Sequence, residues 1–125
     1  MDPWRATEEF GRTLGLSDLN LESGYAEVVL EAGVRLGLLL CGRDVLVHVV
    51  HPAPHPDDML TLRLLQGAEA RDLPGFALQV GSRGSGADFC VIGSVRIPET
   101  LMSPDAIAHA CEQLLKWADN ACCPR

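Results

Sequence analysis

Residues 36–50, LGLLLCGRDVLVHVV, predict two β-strands joined by a tight turn. Leucines at alternate positions share one face of the first strand and valines at alternate positions share one face of the second: Leu36, Leu38, Leu40, Val45, Val47 and Val49. The three residues Gly42–Asp44 form the connection, which is short enough for a hairpin. A period of two also begins at Tyr25, so a third strand precedes this pair in an antiparallel meander.

Helix signals lie at both ends of the chain. Asp2 and Pro3 form a capping residue and a first helical residue, and an apolar face of Ala6, Phe10, Thr13 and Leu14 follows until Gly15 ends the helix. Ser103–Asp105 opens the last helix in the same way. Its inner face carries apolar residues at helical spacing: Ile107, Cys111, Leu114, Ala118 and Ala121.

A third helix is predicted over Met59–Ala70, although Leu60, Leu62 and Leu64 also alternate as in a strand. We favour a helix because Pro56 suits a first helical position, and Asp57 and Asp58 suit the first turn, where the helix dipole is positive. Apolar residues surround much of this helix, so it must be buried on most sides: Met59, Leu60, Leu62, Leu64 and Leu65.

Two more strands complete the prediction, one containing Phe76, Leu78 and Val80 and the other containing Phe89, Val91, Val95 and Ile97. The glycine-rich stretch 81–86 is the predicted reversal between them. The element order is then α-β-β-β-α-β-β-α. This order predicts one α+β domain, residues 1–125, in which an antiparallel sheet of about five strands packs with three helices.

Composition limits the classes of partner. The chain has 125 residues, of which 47% are hydrophobic and 22% charged, as in a single globular domain. A formal net charge of −7 argues against nucleic acid and anionic membranes, which select for basic patches. The first five residues lack the basic start of a signal peptide, and no apolar stretch is long enough for a membrane span. We therefore expect a cytoplasmic protein without membrane insertion.

The histidines raise the possibility of a metal site, because His48, His51 and His55 are followed by Asp57 and Asp58 and imidazole and carboxylate are zinc ligands. However, the first two histidines point to opposite faces of a continuing strand, and three prolines interrupt the segment that follows. We interpret the segment as a strand-to-helix connector, with no metal and no cofactor. The two aspartates are explained by the helix dipole.

No catalytic constellation is found elsewhere. The glycine-rich stretch 81–86 lacks the Gly-Lys-Ser/Thr of a nucleotide loop, and His109 and Cys111 do not face each other on a helix. The five cysteines are odd in number and lack C-x-x-C spacing, so they are interpreted as free thiols, with Cys122 and Cys123 in an exposed tail. We therefore expect no enzyme activity.

Three stretches resemble the class I chaperones of bacterial type III secretion, over nearly the whole chain: FGRTLGL (10–16), MLTLRLLQGAEA (59–70) and SVRIPETLMSPDAIAHACEQLLKWAD (94–119). The resemblance implies a virulence-associated homodimer in the bacterial cytoplasm. It also implies binding of the N-terminal chaperone-binding region of a secreted effector, which is kept partly non-globular and secretion-competent without ATP. A heterodimer with a related chaperone remains open.

Two candidate surfaces follow. The predicted strands have apolar residues on both faces, so part of this surface is expected to bind the effector, with Phe10, Leu14, Leu36, Leu38, Leu40, Val47 and Val49 as candidates. The alternative is that this domain's own helices cover both faces. The family uses its second helix and fourth strand for dimerisation, which assigns the dimer interface to Met59, Leu60, Leu62, Leu64, Leu65, Phe76 and Leu78.

Two other classes of function remain as alternatives. A small metal-dependent enzyme would use His48, His51 and His55, and would show a bound metal or a titrating imidazole in its pH–rate profile. A ligand-binding or adaptor module would gain thermal stability from a small apolar compound. A chaperone would instead bind one unfolded-like protein segment without turnover.

Overall fold

The structure, a computed structural model, describes residues 1–69 and 77–122. Its helices and strands are α1 (Pro3–Thr13), β1 (Tyr25–Val29), β2 (Arg35–Cys41), β3 (Asp44–Pro52), α2 (Leu60–Glu69), β4 (Gln79–Arg83), β5 (Cys90–Ile97) and α3 (Pro104–Cys122). Short 3₁₀ turns lie at Glu31–Gly33, Gly86–Asp88 and Glu99–Leu101. This order confirms the predicted α+β arrangement.

The strands form one antiparallel sheet in the order β1-β2-β3-β5-β4. The first three strands are the predicted meander. The chain then crosses through α2, so that β5 and not β4 pairs with β3. In this register His48 lies between Gly37 on β2 and Ser94 on β5. Strands β1 and β4 are the two edges.

The outer helices begin as predicted. The Asp2 carboxylate accepts the Arg5 N–H at 2.8 Å, and the Ser103 hydroxyl oxygen accepts the Ala106 N–H at 2.9 Å. Gly15 has a φ of 76°, which ends the first helical segment in the left-handed region. The buried face of α1 differs at its end from the prediction, because Leu14 is outside the helix and half exposed.

The start of α2 differs from the sequence prediction. The helix begins at Leu60, so Pro56 is not its first residue. His55 has a φ of 55°, and this left-handed residue turns the chain before the helix. Asp57 instead serves the helix start from outside, where its carboxylate accepts the Met59 N–H at 2.9 Å and pairs with Arg63 at 3.1 Å. The hydrogen bond from Arg63 lowers the pKa of Asp57.

The hairpin between the last two strands is shifted relative to the prediction. Gly81, Ser82 and Arg83 belong to β4, where they pair with Ile92, Val91 and Cys90. The reversal therefore lies at residues 84–89 and not at 81–86. Backbone pairing explains the difference, because Gly81, Ser82 and Arg83 in extended conformation gain ladder hydrogen bonds from β5.

All three helices lie on one side of the sheet. Helix α3 packs on β3 and β5, and both α1 and α2 contact α3. Trp117 is the centre of this packing: its ring lies over Gly93 of β5, and its indole N–H donates to the Leu64 carbonyl at 3.2 Å. The face that the helices cover is almost fully buried: Leu36, Leu38, Val45, Val47, Val49, Val91, Val95 and Ile97. The hydrophobic core therefore occupies this one face.

Candidate functional site: an open sheet face and its free edge

The opposite face of the sheet is not covered by any helix in the described ranges 1–69 and 77–122. Its apolar residues are named here the open face: Tyr25, Val29, Leu39, Leu46, Val50 and Ile92. Val29 is 66% exposed and Leu39 is 38% exposed, whereas Leu46, Val50 and Ile92 are half-buried by their neighbours. Apolar side chains on an uncovered sheet face are typical of a surface that binds another protein.

The edge of the sheet at β1 has unpaired backbone groups. The Leu40 N–H donates to the Gly24 carbonyl and the Leu30 N–H to the Val34 carbonyl, both at 2.8 Å. Hydrogen-bonded pairs alternate along an antiparallel ladder. The backbone groups of Glu27 and Val29 and the Tyr25 N–H therefore point away from β2 and are available to an added strand, whereas the Tyr25 carbonyl accepts the Ser23 hydroxyl at 3.1 Å.

A groove of about 420 Å³ runs along this edge. One wall is β1, and the other is the segment that connects α1 to β1, including Leu16, Asp18, Leu19 and Asn20. An extended peptide that pairs with a sheet edge places alternate side chains into such pockets. The free edge and the groove together form a site suited to an extended segment.

A polar cluster lies in the middle of the open face. The rings of His48 and Tyr25 stack with centroids 5.9 Å apart, above the backbone of Gly37. A Cβ at Gly37 would lie 2.2 Å from the His48 ring, so only glycine leaves room for this ring in its present position. The Tyr25 hydroxyl donates to the Glu27 carboxylate at 2.8 Å, and Arg35 lies 3.8 Å from the same carboxylate.

The surroundings of this cluster shift two pKa values. Burial lowers the pKa of His48, and the nearby Glu27 opposes that shift only in part. The His48 ring is therefore neutral at pH 7. Burial and the hydrogen bond to Glu27 raise the pKa of Tyr25. The two stacked rings are therefore uncharged at neutral pH and lie beside the charged Glu27 and Arg35.

Most of the effector-contact residues predicted from sequence belong to the protein's own core. Leu36, Leu38, Val47 and Val49 are at most 5% exposed, and Phe10 is 4% exposed. Leu40 is half-buried against the core, and only Leu14 is largely exposed. These side chains point to the side of the sheet on which α3 packs, and their contact with an effector stays a prediction.

The open face uses the alternate residues of the same strands. Leu39 lies between Leu38 and Leu40, and Leu46 and Val50 lie among the buried valines of β3. Sequence analysis indicated that both faces of these strands are apolar, but not which face the helices cover. The alternation along Tyr25–Val29 could have identified Tyr25 and Glu27. A charged residue at one set of alternate positions indicates that this set faces away from the core.

The residues predicted for dimerisation differ in their exposure. Met59, directly before α2, is 53% exposed and Leu62 of α2 is 44% exposed, so the first turn of α2 has an apolar surface that the described residues do not bury. Leu60 and Leu64 point into the core, and Leu78 packs partly against it. The side chain of Leu65 and the whole of Phe76 lie outside the described residues.

The three histidines diverge in space. His48 is on the open face, while His51 points to the helix side, where its Nε2 lies 4.0 Å from the Asp119 carboxylate. His55 lies in the turn that leads to α2. Within residues 1–69 and 77–122, no three histidine, cysteine, aspartate or glutamate side chains are arranged to hold a metal ion.

The cysteines occupy different environments. Cys41, Cys90 and Cys111 have free thiols, and burial raises the pKa of Cys111 to about 12. A thiol with this pKa is not nucleophilic at neutral pH. Cys122 is the last residue of α3 and not part of an exposed tail, and Cys123 lies outside the described residues.

Comparison with solved structures places this arrangement in a known fold. A chain of the HopA1–SchA chaperone–effector complex is 20% identical with a TM-score of 0.65, and the alignment covers 93% of this chain and 89% of that one. A chain of the ExsC–ExsE complex is 15% identical with a TM-score of 0.65, and both chains are covered completely. A chain of the Yersinia pestis type III secretion chaperone SycH, in complex with a stable fragment of YscM2, is 17% identical with a TM-score of 0.65 and coverages of 94% and 97%.

These similarities show that the chain has the fold of the class I type III secretion chaperones. No family model and no curated protein matches its sequence significantly. Within the described residues, no helix is both long enough and apolar enough to cross a membrane.

Proposed function

We propose that this protein is a type III secretion chaperone that binds the N-terminal chaperone-binding region of a secreted effector in the bacterial cytoplasm. It keeps the bound segment partly non-globular and secretion-competent without ATP. The observation that carries the proposal is the fold, which matches chains of three such complexes over at least 93% of this chain. The proposed function involves no catalysed reaction.

The open face and the edge of β1 support effector binding. An extended segment gains backbone hydrogen bonds at the edge and buries its apolar side chains on Val29 and Leu39. Such binding needs no folded partner and no nucleotide. The captured segment is ordered along the sheet but forms no core of its own, and it therefore remains non-globular.

A homodimer is also part of the proposal. The exposed Met59, directly before α2, and Leu62 of α2 lie in the same part of the molecule as the edge strand β4, which contacts α2. An isologous pairing of these two elements would bury both the apolar helix face and a free sheet edge. Pairing with a related chaperone would use the same surface.

The experiment that tests the function starts from the native bacterium. Proteins retained by the tagged chain are identified by mass spectrometry, and a secreted protein among them is truncated to its first hundred residues or so, a length typical of extended capture. Binding of the purified segment is then measured by calorimetry with and without ATP. We expect one tight complex whose affinity ATP does not change, with hydrogen exchange slowed at the residues of the segment that pair with β1 and fast in the rest of the segment.

Two exposed leucines, Leu39 and Leu101, provide the matched variants. Leu39→Glu changes the exposed residue, and we expect at least a tenfold loss of effector affinity, equivalent to about 1.4 kcal/mol, with the fold retained. Leu101→Glu changes a residue of similar exposure on the 3₁₀ turn before α3 and is expected to leave binding unchanged. Leu38→Glu is unsuitable because Leu38 is in the core. Equal binding by the Leu39 and Leu101 variants would contradict the proposed surface.

A further inference from the structure

A second depression, of about 610 Å³, lies on the helix side of the sheet, where the turn after β1 meets β3 and α3. Its apolar lining consists of Leu30, which directly follows β1, Val34, which directly precedes β2, and Leu115 of α3. Leu30 is 36% exposed, and Leu115 is half-buried. The depression is therefore large and apolar enough to take one side chain of a partner.

One polar ring lies in its wall. The His51 side chain is only 12% exposed, and its Nδ1 lies 2.7 Å from the carbonyl oxygen of Pro52. A carbonyl can only accept a hydrogen bond, so Nδ1 carries the proton. The other ring nitrogen, Nε2, lies 4.0 Å from the Asp119 carboxylate. The ring thus adds a polar edge to the wall, next to a negative charge.

The rim of the depression carries more acidic than basic groups. Glu31 and Asp119 are both carboxylates, against the one ammonium of Lys116. Asp119 is 64% exposed and can therefore reorient toward a bound group. An apolar pocket with carboxylates at its rim matches a group that has N–H donors and a positive charge.

We infer that this depression binds an apolar side chain of the effector segment whose neighbour in sequence is an arginine or a lysine. The inference rests on the proposed function. The apolar side chain lies between Leu30, Val34 and Leu115. The neighbouring cation lies beside Glu31 and Asp119.

The test uses two capped peptides, acetyl-Gly-Leu-Arg-Gly-amide and acetyl-Gly-Leu-Glu-Gly-amide, titrated into the whole protein and followed by methyl and histidine NMR. We expect the arginine peptide to bind at least about fivefold more tightly, as for one ion pair near a surface. The shifts should appear at the methyl groups of Leu30, Val34 and Leu115 and at His51. Equal binding of both peptides, or shifts confined to other residues, would overturn the inference.

Charge variants separate local attraction from the overall negative charge of the chain. Asp119→Lys should abolish the preference for the arginine peptide. Because the Asp119 side chain is 64% exposed, we expect this variant to retain the fold. Glu22→Lys makes the same change of charge on an exposed residue at the other end of β1 and should keep the preference. Loss of the preference in both variants would mean that net charge alone attracts the peptide, and the inference would be overturned.

Effector binding then distinguishes the two proposals. We expect Asp119→Lys to lower the affinity for the purified effector segment by about fivefold as well. An unchanged effector affinity in this variant would overturn the inference and leave the proposed function standing. Absence of any effector that binds the wild-type chain would overturn the proposed function, and the inference with it.

Discussion

At the scale of single residues, two glycines set the positions of two rings on opposite faces of the sheet. Gly93 lies under Trp117, where a Cβ would be 2.3 Å from the ring. Gly37 lies under His48, where a Cβ would be 2.2 Å from the ring. A Cβ at these two positions has different effects, because Trp117 is enclosed in the core and His48 can move toward solvent.

Replacement of Gly93 is expected to destabilise the protein. Gly93→Ala forces a methyl group into the Trp117 ring, and overpacking of this kind costs about 1–3 kcal/mol. Urea denaturation followed by tryptophan fluorescence measures the loss. Gly81→Ala on β4 is the control, since a Cβ there meets no atom within 4 Å, and its effect should stay within about 0.5 kcal/mol. Equal losses in the two variants would contradict the role of the Trp117 contact.

The lowered pKa of His48 predicts a pH dependence of stability. Because the folded state holds the ring neutral, the unfolded state binds the proton more readily as pH falls below the unfolded value of about 6.5. The free energy of unfolding should therefore fall from that pH downward, and the loss should be complete below the lower folded pKa. Comparison with His48→Gln at pH 8 and pH 5 isolates this contribution. A wild-type curve that parallels the variant would contradict it.

At the scale of elements, side chains from the chain ends and turns hold the sheet and helices together. Arg43 in the β2–β3 turn pairs with Glu99 and lies 5.5 Å from the Trp4 ring of α1. Asp44 accepts the Glu99 N–H at 3.0 Å and the Arg96 guanidinium at 2.9 Å, and these hydrogen bonds lower its pKa. The hairpin turn is thereby joined to both α1 and the end of β5.

Helix α2 depends on α3 for its position. Trp117→Phe removes the indole N–H that donates to the Leu64 carbonyl at 3.2 Å and leaves a space in the core, for a combined loss of about 2–4 kcal/mol. Hydrogen exchange should show that amides of α2 lose more protection than those of β3. Trp4→Phe, at a half-buried position, is the control and should leave exchange in α2 unchanged. Uniform loss across the molecule would contradict this link.

At the scale of the whole molecule, the sheet divides the protein into a helix-covered face and an open face. Within residues 1–69 and 77–122, the arrangement leaves two sheet edges and the apolar surface at the start of α2 without a partner. A chain of 125 residues has a modest core, and association is a direct way to bury such surface. The proposed dimer and the proposed effector site use different parts of it.

The dimer predicts a dependence of mass and stability on concentration. Light scattering at micromolar concentration should give twice the mass of one chain, and the melting temperature should rise with protein concentration. The double variant Met59→Glu with Leu62→Glu should have the mass of one chain, because both residues are exposed on the protomer. Leu101→Glu serves as the control. A wild-type monomer at this concentration would contradict the homodimer and leave pairing with a related chaperone as the alternative.

Local sequence determined most of the fold. The caps at Asp2 and Ser103, the alternation along β2 and β3 and the spacing along α3 depend on neighbours in the chain, and all were predicted. Tertiary packing decided the start of α2 and the length of β4, because His55 and the pairing of Gly81 with Ile92 depend on distant partners. It also decided the candidate site. Leu38 and Leu39 have the same side chain, and only the side of the sheet on which the helices pack places the first in the core and the second on the open face.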